Sequence, residues 1–156
     1  MTGGGEPLIY RGLFRPTKQF GNRSITKYLI DNSIWVGLIT NGELLDKFIN
    51  ADFDLKKLMI IRVSLDATNK KNHSLRHRCD ESHFNKICDS IYKTVCLRGN
   101  AKTPAIGISF VISCKDDVNN TLHDITEICN LAKMLKVDFV QYNYLSKNHQ
   151  EQNQAV

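Results

Sequence analysis

Residues 58–66 read LMIIRVSLD, a nearly continuous apolar run of strand length that opens a polar stretch on its far side. A run of this kind is expected for a strand buried on both faces, as in a parallel sheet covered by helices. Working outward, Glu81 to Leu97 carries Phe84, Ile87, Cys88, Ile91 and Val95 at offsets zero, three, four, seven and eleven, one face of a helix. Pro104 then precedes Ala105 to Ser113 (AIGISFVIS), a second buried strand. Thr121 to Lys136 supplies the stripe Leu122, Ile125, Ile128, Cys129, Ala132 and Leu135, and Val137 to Leu145 gives the last strand. Upstream, Ser24 to Ile34 has the spacing of a short helix with Ser24 as its cap. Trp35 to Thr40 (WVGLIT) reads as a strand with Trp35 packed, Asn41-Gly42 as a turn, and Glu43 to Phe48 as a helix.

Strands therefore end near Thr40, Asp66, Ser113 and Tyr144, each pair separated by a helix. Every connection is long enough for a crossover and none is a tight hairpin, so the fold class is α/β with a parallel sheet. A doubly wound sheet and a portion of a (βα) barrel share this local grammar, and periodicity leaves both open.

With 156 residues, 42% hydrophobic and 24% charged, the chain has the composition of one ordinary globular domain. Its formal net charge of +5 is scattered over loops, unlike the basic blocks of nucleic-acid-binding tails, so no nucleic-acid partner is expected. No apolar run reaches membrane-spanning length and no signal-peptide pattern opens the chain, which predicts a cytoplasmic protein without a membrane partner. The cysteines Cys79, Cys88, Cys96, Cys114 and Cys129 are odd in number and form no metal-ligand motif. Cys88 and Cys129 fall in apolar stripes and are expected to be buried as small hydrophobes.

In parallel α/β proteins ligands bind at the carboxyl ends of the strands, where loops and helix amino termini converge. The polar groups of this chain fall there. Gly3-Gly4-Gly5-Glu6-Pro7 places a carboxylate beside a glycine turn that lets a ligand approach the main chain. Thr40, Asn41 and Gly42 end the next strand, Ser64 and Asp66 the one after, and Gln141 and Asn143 lie late in the last. Such a ring suits a polar small molecule such as a nucleoside. The crowd Lys70, Lys71, His73, Arg76, His77 and Arg78 reads as a solvated basic loop. His73 and His77 are spaced for metal on a helix, but in a loop without a third ligand no metal site is expected.

The order GGGEP, then LITNG, then RVSLDA, then a strand after LAKMLKVD resembles the radical S-adenosylmethionine superfamily over residues 2 to 145. The resemblance implies a partial TIM-type (βα)6 barrel over residues 1–145, its first strand, cluster loop and first helix missing, followed by a polar tail over 146–156. It implies that Gly4, Gly5 and Glu6 bind the methionyl amino group of S-adenosylmethionine. It further implies that Ser64 and Asp66 hold the ribose, and that Ser109, Val111 and Gln141 flank the adenine, with Asn41 completing the strand-end ring.

The family's four-iron, four-sulfur cluster is held by a Cys-x3-Cys-x2-Cys loop that the sequence lacks. The chain alone is therefore expected to be inactive in generating a 5′-deoxyadenosyl radical, and a complementary N-terminal polypeptide is the implied partner. The substrate, a peptide or small metabolite, does not follow. A non-catalytic α/β module binding a nucleotide or protein remains an alternative. An aldolase-like barrel lyase would need a lysine inside a strand end, and none is placed there.

Overall fold

The computed structural model describes residues 5–113 and 118–145. Gly4, the strand expected before Gly3, Cys114 and the tail over 146–156 lie outside the described residues. Four parallel strands, β1 (Gly37–Thr40), β2 (Ile60–Ser64), β3 (Ala105–Ser113) and β4 (Phe139–Leu145), form one sheet in the order β1-β2-β3-β4. The helices are α1 (Ile25–Asp31), α2 (Leu45–Ile49), α3 (Lys70–His77), α4 (Ser82–Arg98) and α5 (Val118–Leu135).

Local chemistry sets the helix ends. The Ser24 hydroxyl caps α1, accepting from Lys27 N at 3.1 Å and donating to Asp52 at 2.8 Å. α4 buries Phe84, Ile87, Ile91 and Val95 along one stripe and stops at Gly99, whose φ of +59° is closed to most side chains.

Register neighbours in a parallel sheet point to the same side, so the strands sort their residues into two faces. Leu38, Ile61 and Ile106 align on one face, followed by Thr40, Val63, Ile108 and Val140. This face is the core: it is buried with Leu45 and Phe48 of α2, the stripe of α4, and Ile128, Leu131 and Leu135 of α5. The helices α2 and α4, and α4 and α5, also pack against each other, so they lie side by side on that face. The opposite face carries Ile39, Arg62, Gly107 and Phe139 in one row, then Ser64, Ser109 and Gln141, then Val111 and Asn143.

Several expectations change. β2 is not buried on both faces: Ile61 and Val63 are buried beneath α2, α4 and α5, whereas Ile60, Arg62 and Ser64 on the opposite face are half-buried. Trp35 does not pack, being 80% exposed, since β1 starts two residues later and the core contact falls to Val36. The basic stretch is a helix, α3, and not a loop: the Asn69 side chain caps it by accepting from Asn72 N, and His73 is its buried residue. Cys88 and Cys129 are only half-buried.

The row Gly107–Phe139 tests this face. A Cβ built on Gly107 would lie 2.3 to 2.5 Å from atoms of the Phe139 ring, so the ring covers the glycine backbone. Gly107→Ala must swing that ring aside and is expected to cost about 1–3 kcal/mol in chemical denaturation. In a Phe139→Ala background the same substitution is expected to be nearly free, a coupling that a double-mutant cycle reads directly. Equal costs in both backgrounds would contradict the packing described.

Candidate functional site

The carboxyl ends of β1 and β2 meet the start of the described chain. Pro7–Ile9 forms a 3-10 turn because Pro7 presets φ and the Glu6 side chain caps it, Oε1 accepting from Leu8 N at 3.1 Å. The same oxygen accepts from the buried Thr40 hydroxyl at 2.6 Å, and Oε2 accepts from Asn41 N at 2.6 Å. Thr40 in turn accepts from Gly42 N at 3.1 Å. Glu6 thus fastens the incoming chain to the end of β1.

A carboxylate offers roughly four acceptor sites. Three are filled here, leaving Oε2 with capacity for a further donor. The carboxylate faces a cavity of about 280 Å³ lined by Gly5, Glu6, Pro7, Ile39, Thr40, Asn41 and Ser64. Gly5, Glu6, Asn41 and Ser64, all singled out in the sequence, therefore share one cavity. The expected pairing of Ser64 with Asp66 is not seen there. β2 ends at Ser64, Asp66 lines neither this cavity nor the neighbouring one described below, and its backbone carbonyl accepts from Arg76.

Further along the same sheet face the side chains form a chain of hydrogen bonds. Arg62 Nη1 donates to Gln141 Oε1, Gln141 Nε2 donates to Asn143 Oδ1 at 3.1 Å, and Asn143 Nδ2 donates to the Ser109 hydroxyl at 2.7 Å. Ser109 and Gln141 are thus brought together, and Val111 stands beside Asn143 in register. Arg62 is the residue that sequence reasoning missed. It interrupts an apolar run at the parity of Ser64, and that parity was the available signal. Its Nε is buried without a partner, and among the described residues no carboxylate pairs with it. A buried donor left unpaired costs about 1–3 kcal/mol.

A second cavity of about 400 Å³ adjoins the first, sharing Asn41 and Ser64 and adding Glu43, His73, His77, Cys79, His83 and Ile87. His83 Nδ1 lies 2.8 Å from Glu43 Oε1. The His73 and His77 rings are 4.4 Å apart, as one helical turn dictates. His73 is 4% exposed and its Nδ1 has no hydrogen-bond partner. Burial and the neighbouring His77 hold its pKa below the ordinary histidine value, against the pull of Glu43. Among the described residues no three His, Cys, Asp or Glu side chains converge closely enough to hold a metal ion.

The described cysteines do not fit an iron–sulfur cluster. Cys79 precedes α4, Cys88 and Cys96 lie on α4 and Cys129 on α5, so no tight loop presents three thiolates. Burial also pushes the Cys88 thiol up to about 12, away from the thiolate such a cluster requires.

Neither a scan of this sequence against protein-family models nor a search of the curated proteins finds a match. Fold and site together define an α/β protein with a four-stranded all-parallel sheet and a polar rim at the strand carboxyl ends. No described helix is long and apolar enough to cross a membrane.

Proposed function

We propose that this chain binds S-adenosylmethionine, as part of a radical S-adenosylmethionine core built as a segment of a (βα)6 barrel. The strand order supports the barrel reading. A doubly wound sheet reverses its order at a switch point and places helices on both faces. Here the order advances by one at each crossover, with α2, α4 and α5 on one face, which is how a barrel wall is built.

The observation that carries the ligand reading is the placement of Glu6 and Ser64 in one cavity at the strand carboxyl ends. Arg62 adds to it, since its unpaired Nε stands on the same sheet face as Ser64. Free acceptor capacity on Glu6 fits an ammonium, and an Arg62 guanidinium without a carboxylate partner fits a carboxylate. Together they match the zwitterionic end of an amino acid. The hydroxyl and amide groups of Ser64, Ser109, Gln141 and Asn143 fit the hydroxyls and ring nitrogens of a nucleoside. The sulfonium ligand would supply the radical chemistry when bound, and the chain's own residues orient it and exclude water.

The described cysteines do not fit the cluster that such chemistry needs, so no cleavage step is assigned to this chain. That misfit favours the second reading, a non-catalytic nucleoside-binding module, wherever activity itself is concerned.

Calorimetry with the whole chain tests the binding. S-adenosylmethionine is expected to give a saturable heat, and Arg62→Gln to weaken it about tenfold or more while leaving adenosine nearly unchanged. Absence of a saturable heat, or an equal loss for both ligands, would count against the proposed recognition of the amino-acid end.

A further inference from the structure

We infer that the second cavity is a binding site for the carboxylate or phosphate of a small acidic molecule, held among His73, His77 and His83 with Ser64 and Asn41 as neutral donors. The inference goes beyond S-adenosylmethionine binding and stands on this cavity alone.

Three imidazoles gather in the cavity beside a single lining carboxylate. That carboxylate, Glu43, is engaged by His83. The Asn41 side chain spends its oxygen on Glu43 N at 3.0 Å, which leaves its NH2 group as the free end. Ser64 makes no side-chain hydrogen bond among the described residues, and the His73 Nδ1 is unpartnered in a residue that is 4% exposed. Three imidazoles, a hydroxyl and an amide NH2 line the space, and although a neutral ring and the hydroxyl can also accept, a protonated ring only donates.

An anion is the ligand to which protonated rings, a hydroxyl and an amide NH2 can all donate. Burial, and then a positive His77 ring 4.4 Å away, raise the cost of charging His73. An anion in the cavity offsets that cost and draws a proton onto His73. Glu43, held by His83, and Asp66 are the carboxylates that act on His73, and they oppose anion entry; His77 and His83 favour it. Cys79 lines the cavity as a free thiol, and the nearby Lys70 is paired with Glu81 and takes no part. A metal ion is the weaker candidate for the cavity, since among the described residues no three His, Cys, Asp or Glu side chains converge to hold one. Protonation of His73 rises as pH falls, so affinity must rise in the same direction.

Imidazole proton resonances of the whole chain, titrated with inorganic phosphate and separately with succinate in the absence of S-adenosylmethionine, test the site. Saturable shifts at His73 and His77 are expected, with affinity about tenfold weaker at about pH 8 than at about pH 6. Phosphate and succinate arms separate the two anion sources by which binds more tightly. His73→Gln is expected to abolish the saturable shift at His77. His77→Asn, at an exposed position that leaves the fold intact, is expected to weaken binding about threefold. Shifts that never saturate, that chloride at matched ionic strength reproduces, or that both variants leave unchanged overturn the inference. Saturable phosphate binding in a chain that gives no heat with S-adenosylmethionine upholds this site and sinks the proposed function, so the two failures are distinct.

Discussion

Glu6→Ala is expected to lower stability and S-adenosylmethionine affinity together. The carboxylate accepts from Leu8 N, the Thr40 hydroxyl and Asn41 N, and the last two are short, charge-assisted contacts. Hydrogen bonds to a charged group are worth about 1.5–3 kcal/mol each before exposure is discounted. Glu6 is half-buried, so the expected loss on unfolding is about 2–4 kcal/mol, with the Leu8 turn released from β1. Affinity should fall by at least about a hundredfold if the remaining lone pair on Oε2 receives the ligand ammonium.

Two further variants separate anchoring from binding. Glu6→Gln keeps the shape, but its amide must turn an NH2 toward an N–H donor, either Asn41 N or Leu8 N. Its stability should lie between wild type and alanine. Thr40→Val removes one anchoring bond without touching the free lone pair on Oε2, so it should lose stability with little loss of affinity. Thermal melts and calorimetry on the three variants decide the matter. If Glu6→Ala melts and binds like wild type, neither the anchor nor the ligand role survives.

Gly42→Ala is expected to be the most damaging single methyl in the described chain. Gly42 sits at φ +87°, in the region that side-chain-bearing residues resist by about 1–2 kcal/mol. Its added Cβ would lie 2.8 Å from Ile87 Cγ2 and 2.9 Å from Val63 Cγ1. Both neighbours are essentially fully buried, at 1% and 0% exposure, and neither has room to retreat. Overpacking a filled core costs about 1–3 kcal/mol, so the sum expected in chemical denaturation is about 2–5 kcal/mol. Ile87→Ala removes one of the two obstacles. Gly42→Ala made in that background should cost less than in wild type, the backbone strain alone persisting. A mutant as stable as the parent would show that the turn does not press on α4.

The strands were legible because an apolar run punctuated by polar segments has few other uses. Ala105 to Ser113 was placed to the residue, and the final strand to within two. Which face each residue takes is also in the sequence, through alternation, yet LMIIRVSLD reads as a uniform block in which Arg62 is inconspicuous. That uniformity has a physical source: Ile60 is apolar on the open face and blurs the alternation that Arg62 and Ser64 carry.

α3 escaped for the opposite reason. Its eight residues contain a single aliphatic side chain, Leu75, which is 71% exposed, so no hydrophobic stripe announces it. An Asn69 cap and the tilted packing of His73 against Phe84, with ring centroids 5.7 Å apart, hold it instead, and such tertiary contacts leave little trace in a linear pattern. Of the candidate site, Gly5, Glu6, Asn41 and Ser64 were legible because strand ends in a parallel sheet converge. The histidine-lined cavity was not, because His83 reaches it from α4 and Glu43 from the segment after β1, separated by forty positions of chain.

At the far end of the sheet from these cavities, Asp138 accepts from Ile106 N at 2.7 Å and from Arg98, which also donates to the Pro104 carbonyl at 3.2 Å. One carboxylate and one guanidinium thereby tie the last turn of α4 to the starts of β3 and β4. The molecule keeps its clasp at the floor and its recognition groups at the lip. Substitutions at the lip can accumulate and retune what is recognised while the floor holds the architecture, the division of labour that lets one scaffold serve new chemistry.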